Sequence, residues 1–141
     1  MVRAKRFFIP AVVALSLAVV AIYQLSCNRT SMAGQQFTVG DFVYAKPLNS
    51  AWLHGRIDAS CADGWHVAFD DGKSQCLLAE QIVRDVVPAP DQVHIGAQVI
   101  ARTSRGQMLL GRVIGLEGQT VNIRFKRLGM QKLPLRNIRL R

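Results

Sequence analysis

The sequence predicts an all-β chain built of two small barrels in tandem, placed after an N-terminal transmembrane helix or signal segment. Three observations predict it. The stretch from Val39 to Val83 recurs without a gap further along the chain, so that Gly40 falls on Gly96, Val43 on Val99 and Gly55-Arg56-Ile57 on Gly111-Arg112-Val113. A fixed period with apolar positions kept and polar ones free to vary marks one supersecondary unit used twice. Within each copy, short runs of alternating apolar and polar residues are divided by turn residues. Ahead of both copies stands a long uninterrupted apolar run.

That run extends from Phe7 to Leu25, with Ser16 and Gln24 as its polar side chains, and Arg3, Lys5 and Arg6 precede it. As a helix it would rise about 28 Å, close to the thickness of a bilayer's hydrocarbon core. Pro10 falls in the first turn, where its missing N–H costs little. The basic flank places the N-terminus in the cytoplasm and both repeats on the non-cytoplasmic side of the membrane. A cleaved signal, giving a secreted protein, stays open through Ser31-Met32-Ala33, although cleavable signals have shorter apolar regions. Leu25-Ser26-Cys27 resembles the end of a lipoprotein signal and makes Cys27 a lipidation candidate, with Gln24 and Leu25 departing from that pattern. The expected organisation is therefore 1–27 signal-anchor or signal sequence, 28–38 linker, 39–85 first barrel, 86–94 proline-containing linker and 95–141 second barrel.

In the first copy Phe42 to Lys46, Trp52 to Ser60, Trp65 to Asp70 and Ser74 to Leu78 read as strands. Asn49-Ser50, Ala62-Asp63-Gly64 and Asp71-Gly72 are the turns, matched later by Ser104-Arg105-Gly106, Glu117-Gly118 and Leu128-Gly129. Pro88 and Pro90 stop any strand between the copies and favour an extended spacer. Alternation puts Leu53, Gly55 and Ile57 on one face with Trp65, Val67 and Phe69, which is the core face, and turns His54 and His66 outward. Four or five short antiparallel strands, with a bend wanted in a long second strand, favour a closed barrel over an open sheet, since closure removes exposed edges.

Val39-Gly40-Asp41, Val43-Tyr44-Ala45-Lys46, Trp52, Gly55-Arg56-Ile57, Val67-Ala68-Phe69-Asp70-Asp71-Gly72 and Ile82-Val83 resemble a Tudor or Agenet-type domain. The second copy resembles it more weakly, through Gly111-Arg112-Val113, Ile123-Arg124-Phe125 and Leu135-Arg136-Asn137-Ile138. The resemblance implies a bent five-stranded SH3-like barrel, and in many members an aromatic cage for methylated lysine or arginine. Such a cage needs several ring faces around the cation. The places that hold those rings in the family hold Pro47, Leu53, Phe69 and Lys73 here, so the cage is incomplete. Trp52, Phe69 and Asp71 are the ligand-binding candidates that remain.

Cys61 and Cys76 correspond to Glu117 and Lys132, positions that suit a surface, and they form a disulfide candidate outside the cytoplasm. The net charge of +9 is unevenly divided: residues 39–83 carry three basic and six acidic side chains, whereas 95–141 carry ten basic side chains against Glu117 alone. Arg124, Lys126, Arg127, Lys132, Arg136 and Arg139 form a candidate basic patch, and Asp70-Asp71 give way to Lys126-Arg127 at the same turn. Trp52 corresponds to Met108 and His54 to Leu110, which predicts that the two barrels dock through these outward positions. No catalytic constellation, metal set or cofactor motif stands out: His94 lies in a linker, and no Ser or Cys has an evident base. The sequence thus predicts a membrane-tethered, non-catalytic binding or scaffold module with a membrane contact through residues 7–25. Its ligand is a protein or an anionic partner, and nucleic acid is less favoured because the second copy lacks aromatic residues for base stacking.

Overall fold

The structure, a computed structural model, describes residues 36–141. The apolar run at 7–25 and Cys27 lie outside the described residues, and among those described no helix is long and apolar enough to cross a membrane. The strands in chain order are β1 Phe42–Ala45, β2 Leu53–Cys61, β3 Gly64–Phe69, β4 Ser74–Leu77, β5 Ile82–Arg84, β6 Gln98–Arg102, β7 Met108–Glu117, β8 Thr120–Phe125, β9 Gly129–Pro134 and β10 Ile138–Leu140. They form two antiparallel five-stranded sheets of identical order, β4-β3-β2-β1-β5 and β9-β8-β7-β6-β10. In each sheet a short 3-10 turn, Ala79–Gln81 or Leu135–Asn137, leads from the fourth strand to the fifth.

The long second strand of each copy bends at a bulge, between Ile57 and Ala59 in β2 and between Val113 and Gly115 in β7. One extra residue there increases local twist, which lets a single strand turn the corner of a small barrel. The inward side chains follow the alternation. Val43, Ala45, Ile57, Val67, Phe69, Leu77 and Ile82 fill the first core, and their repeat equivalents Val99, Ala101, Val113, Ile123, Phe125, Leu133 and Ile138 fill the second. Gly55 and Gly111 also face inward, where the third strand of each barrel crowds them. A Cβ at Gly55 would stand 2.6 Å from the Ala68 carbonyl oxygen, and one at Gly111 would collide with Ile123 and Phe125.

Both barrels begin earlier than the sequence places them. Phe37, in the segment assigned to the 28–38 linker, is buried in the first core, its ring 6.2 Å from that of Trp65 and edge-on to it. Val93, in the 86–94 linker, is buried at the equivalent place in the second core. Between the barrels the chain is not simply extended, since Pro90–Gln92 forms a 3-10 turn that delivers Val93 to the core. Phenylalanine and valine share only apolar character, so the sequence match starts after them. Asp41 secures the entry to β1 by accepting from the Thr38 backbone N–H at 3.0 Å and from its hydroxyl at 2.9 Å.

A third apolar cluster, Tyr44, Trp52, Val83, Ile100 and Met108, joins the two barrels. Tyr44 and Ile100 are equivalent positions, as are Trp52 and Met108, while Val83 is equivalent to Arg139. The copies therefore dock through the same face of each, as in an isologous dimer whose two subunits share one chain. Polar contacts surround the cluster. Arg139 Nε donates to Asp85 Oδ1 at 2.5 Å, Arg102 Nη2 donates to the Tyr44 hydroxyl at 3.0 Å, and the Arg139 guanidinium lies 6.0 Å from the Tyr44 ring centroid. A barrel of under 50 residues buries too little surface to be robust alone. Covering the Trp52 and Met108 faces supplies part of the deficit. Leu110, expected to join that interface, is outside the cluster and keeps 39% of its surface exposed.

Candidate functional site

The ligand-binding candidates of the first barrel do not converge. Phe69 is committed to the first core, and Trp52, only 8% exposed, to the interface between barrels. Asp71 sits in the β3–β4 turn, where its carboxylate accepts from the Lys73 backbone N–H at 3.0 Å. Three groups at three separate duties make no cage for a methylated cation. The alternation places Trp52 outward correctly, but only docking of the second barrel shows that this outward face is covered.

Trp52, immediately before β2, shares one face with His54 and Arg56 of that strand. His54 is wedged between rings and acids: Phe42 stacks on it at 5.9 Å, Tyr44 meets it edge-on at 5.2 Å, and its Nδ1 bonds to Asp70 Oδ2 at 2.6 Å. Its Nε2 lies 3.3 Å from Asp85 Oδ2, and Asp85 also holds Arg139 of the second barrel. Asp70, Asp71 and Asp85 of the first copy therefore have local structural partners. In the second copy this whole set is exchanged. Leu110 replaces His54, Lys126 replaces Asp70 and Arg141 replaces Asp85.

The exchange leaves cations without acids. Arg112 on β7 stands directly opposite Arg124 on β8, and Gln98 on β6 stands opposite Arg112. All three are exposed. Among the described residues, the ion pairs within 4.0 Å involve neither Arg112, Arg124, Lys126, Arg127 nor Arg141. Like charges directly opposite on one sheet face are mildly destabilising. Gln98, Leu110, Arg112, Arg124 and Lys126 line a shallow concavity of about 440 Å³ over Gly111 and Phe125.

The basic patch read from the sequence divides accordingly. Arg124 and Lys126 line this concavity, and Arg127 follows in the same turn. Lys132 is paired with Glu117, whose carboxyl this ammonium holds below the usual carboxylate range, helped by Asn122. Arg139 is not a surface cation at all: its side chain is 13% exposed and docks the barrels through Asp85. Arg136 lies apart, in a different recess with Tyr44, Arg102 and Met108. Arg112 and Leu110 line the site and are missing from the patch expected from the sequence, and Arg141, also missing, lines the neighbouring cleft. The repeat alignment itself held the signal, because it sets Leu110 and Arg141 against His54 and Asp85.

Cys61 and Cys76 are joined in a disulfide, with Cα atoms 6.2 Å apart, between the end of β2 and β4. Glu117 and Lys132 form an ion pair at the equivalent place in the second barrel. One clasp is covalent and the other electrostatic. Cys76 is opposite His66 in the β3–β4 ladder, the register of a bulged turn in which the Phe69 N–H donates to the Lys73 carbonyl at 2.8 Å. Gly72, at φ +85°, supplies the left-handed residue that this turn requires.

No protein-family model and no curated protein matches the chain. Among solved structures it is similar to Arabidopsis thaliana AGDP1 AGD34, with 20% identity, a TM-score of 0.47, and 79% of this chain and 86% of that chain covered. It is also similar to ADCP1 tandem Agenet domain 3-4, with 20% identity, a TM-score of 0.45, and 79% of this chain and 84% of that chain covered. The Agenet-type resemblance read from the sequence recurs among these structures.

Proposed function

We propose that this chain is a non-catalytic binding module whose second barrel holds an anionic partner on the outward face of β7 and β8. The observation that carries the reading is the opposed pair Arg112 and Arg124, flanked by Lys126 and Arg127 and lacking any acidic partner among the described residues. The first barrel serves as a docked support, with Asp70 and Asp85 engaged by His54 and Asp85 also by Arg139. Contacts of this kind bring together formal charges at the protein surface, so they weaken as salt screens them. The chain should be retained on immobilised heparin at low ionic strength and elute as salt rises toward physiological levels. Arg112→Glu combined with Arg124→Glu should abolish retention. Undiminished retention of that double variant would show that the face is only solvated.

The second part of the proposal is location. Residues 7–25 anchor the module in a membrane with both barrels on the non-cytoplasmic side, in keeping with the basic N-terminal flank and with the Cys61–Cys76 disulfide, a bond that persists in oxidising compartments. The full chain should therefore remain in the membrane pellet after alkaline carbonate extraction. Its release as a soluble species starting beyond residue 27 would replace the anchor by a cleaved signal.

A further inference from the structure

Beside the cationic face lies a cleft formed by both barrels together. Lys46, Pro47, Leu48 and Trp52 of the first barrel line it with Leu110 and Arg141 of the second, around about 300 Å³ of space. Leu48, 81% exposed, and Leu110, 39% exposed, give it an apolar side, while Glu80 and Gln81 add polar lining. Leu110 lines both this cleft and the cationic concavity, so the two are one continuous surface.

The order of side chains along β7 explains the continuity. Met108, Leu110 and Arg112 share the outward face: Met108 is buried in the interface between barrels, Leu110 is at the mouth of the cleft, and Arg112 begins the cationic row. Successive residues on one strand face are about 7 Å apart, because a strand rises about 3.4 Å per residue. An extended ligand presents its own side chains with the same spacing. An apolar side chain over Leu110 would then place the next one on its face over Arg112 and Arg124.

From this juxtaposition we infer that the partner is an acidic protein segment bound in extended form, with one large apolar side chain seated between Leu48 and Leu110 and a carboxylate two positions further on against Arg112 and Arg124, while Lys126, level with Leu110 across the β7–β8 ladder, borders the apolar slot. The inference rests on the anionic-partner reading above and narrows it. The occupant is set by complementarity: four uncompensated cations ask for several negative charges, and an apolar slot bordering them asks for a side chain that a polysaccharide or free phosphate lacks. The exchange of His54, Asp70 and Asp85 for Leu110, Lys126 and Arg141 creates this combination only in the second barrel. In the first barrel the same place is filled by the His54 ring and its carboxylates.

The test uses the full chain and two synthetic peptides, each alternating aspartate with serine, one of them carrying leucine two positions before the first aspartate and the other serine in its place. The leucine peptide should bind about tenfold more tightly, the scale expected when one apolar side chain leaves water. Leu48→Ser should reduce it toward the affinity of the serine peptide while leaving heparin retention unchanged, since Leu48 lines the cleft and not the cationic concavity. Equal binding of both peptides to the unmodified chain would overturn the apolar slot and leave the anion-binding face standing. Retention on phosphatidylglycerol vesicles that exceeds retention on neutral phosphatidylcholine vesicles and is lost in Arg112→Glu with Arg124→Glu, with neither peptide bound, would overturn the peptide assignment in favour of a membrane surface. Failure of heparin, vesicles and peptides alike would remove the anion-binding reading itself.

Discussion

Trp52→Ala should lower the stability of the folded barrels by about 3 kcal/mol, the lower end of what large buried aromatic truncations cost. Trp52 is buried by neighbours from both copies, so its removal leaves a void against Ile100 and Met108 that neither barrel can close without shifting the other. The loss also exposes each barrel as a small unit with little core of its own. A denaturant titration followed through Trp65 should show the midpoint fall, and unfolding of the two barrels should separate into distinct steps. If Trp52→Ala leaves the midpoint in place, the barrels are independent beads and the docking face contributes nothing.

Cys61→Ser with Cys76→Ser should cost a similar amount, about 3 kcal/mol, because the bridge closes a segment with a sequence separation of 15 and removes that freedom from the unfolded chain. Reduction of the unmodified chain should give the same shift. The second barrel provides an internal control. Its equivalent clasp is the exposed Glu117 and Lys132 pair, and exposed pairs add little. Glu117→Gln should therefore leave the thermal midpoint essentially unchanged. A midpoint unmoved by loss of the disulfide would mean that neck strands β2 and β4 are held as well by the ladder alone.

Much of the architecture is legible in the residue pattern. Period-two alternation around Ile57 and Val67, and around Val113 and Ile123, assigns the core because a strand side chain has only two faces to choose from. The glycines at 55 and 111 are legible as repeat matches, although their reason, the closeness of Ala68 or Ile123, is not. The pairing of Trp52 with Met108 as docking residues follows from their equivalence, since a large apolar side chain on an outward face needs a cover. Phe37 and Val93 escape the pattern. A single apolar residue before a strand carries no period, and only the filled core shows that it belongs.

By itself, the sequence determined the doubling of the unit, the strands and their inward faces, and the crowding of positive charge into the second copy, because these depend on local alternation and on composition. Tertiary structure alone decided which of those charges are spent and which remain available. Arg139 and Arg124 are indistinguishable as residues in a basic stretch, yet one is consumed by Asp85 in the other barrel and the other faces Arg112 unpaired. Leu110 likewise becomes a cleft wall only when Leu48 and Trp52 are brought beside it. Ion pairs and clefts are made between segments far apart in sequence, so their partners are set by how the two barrels dock, which no local pattern encodes.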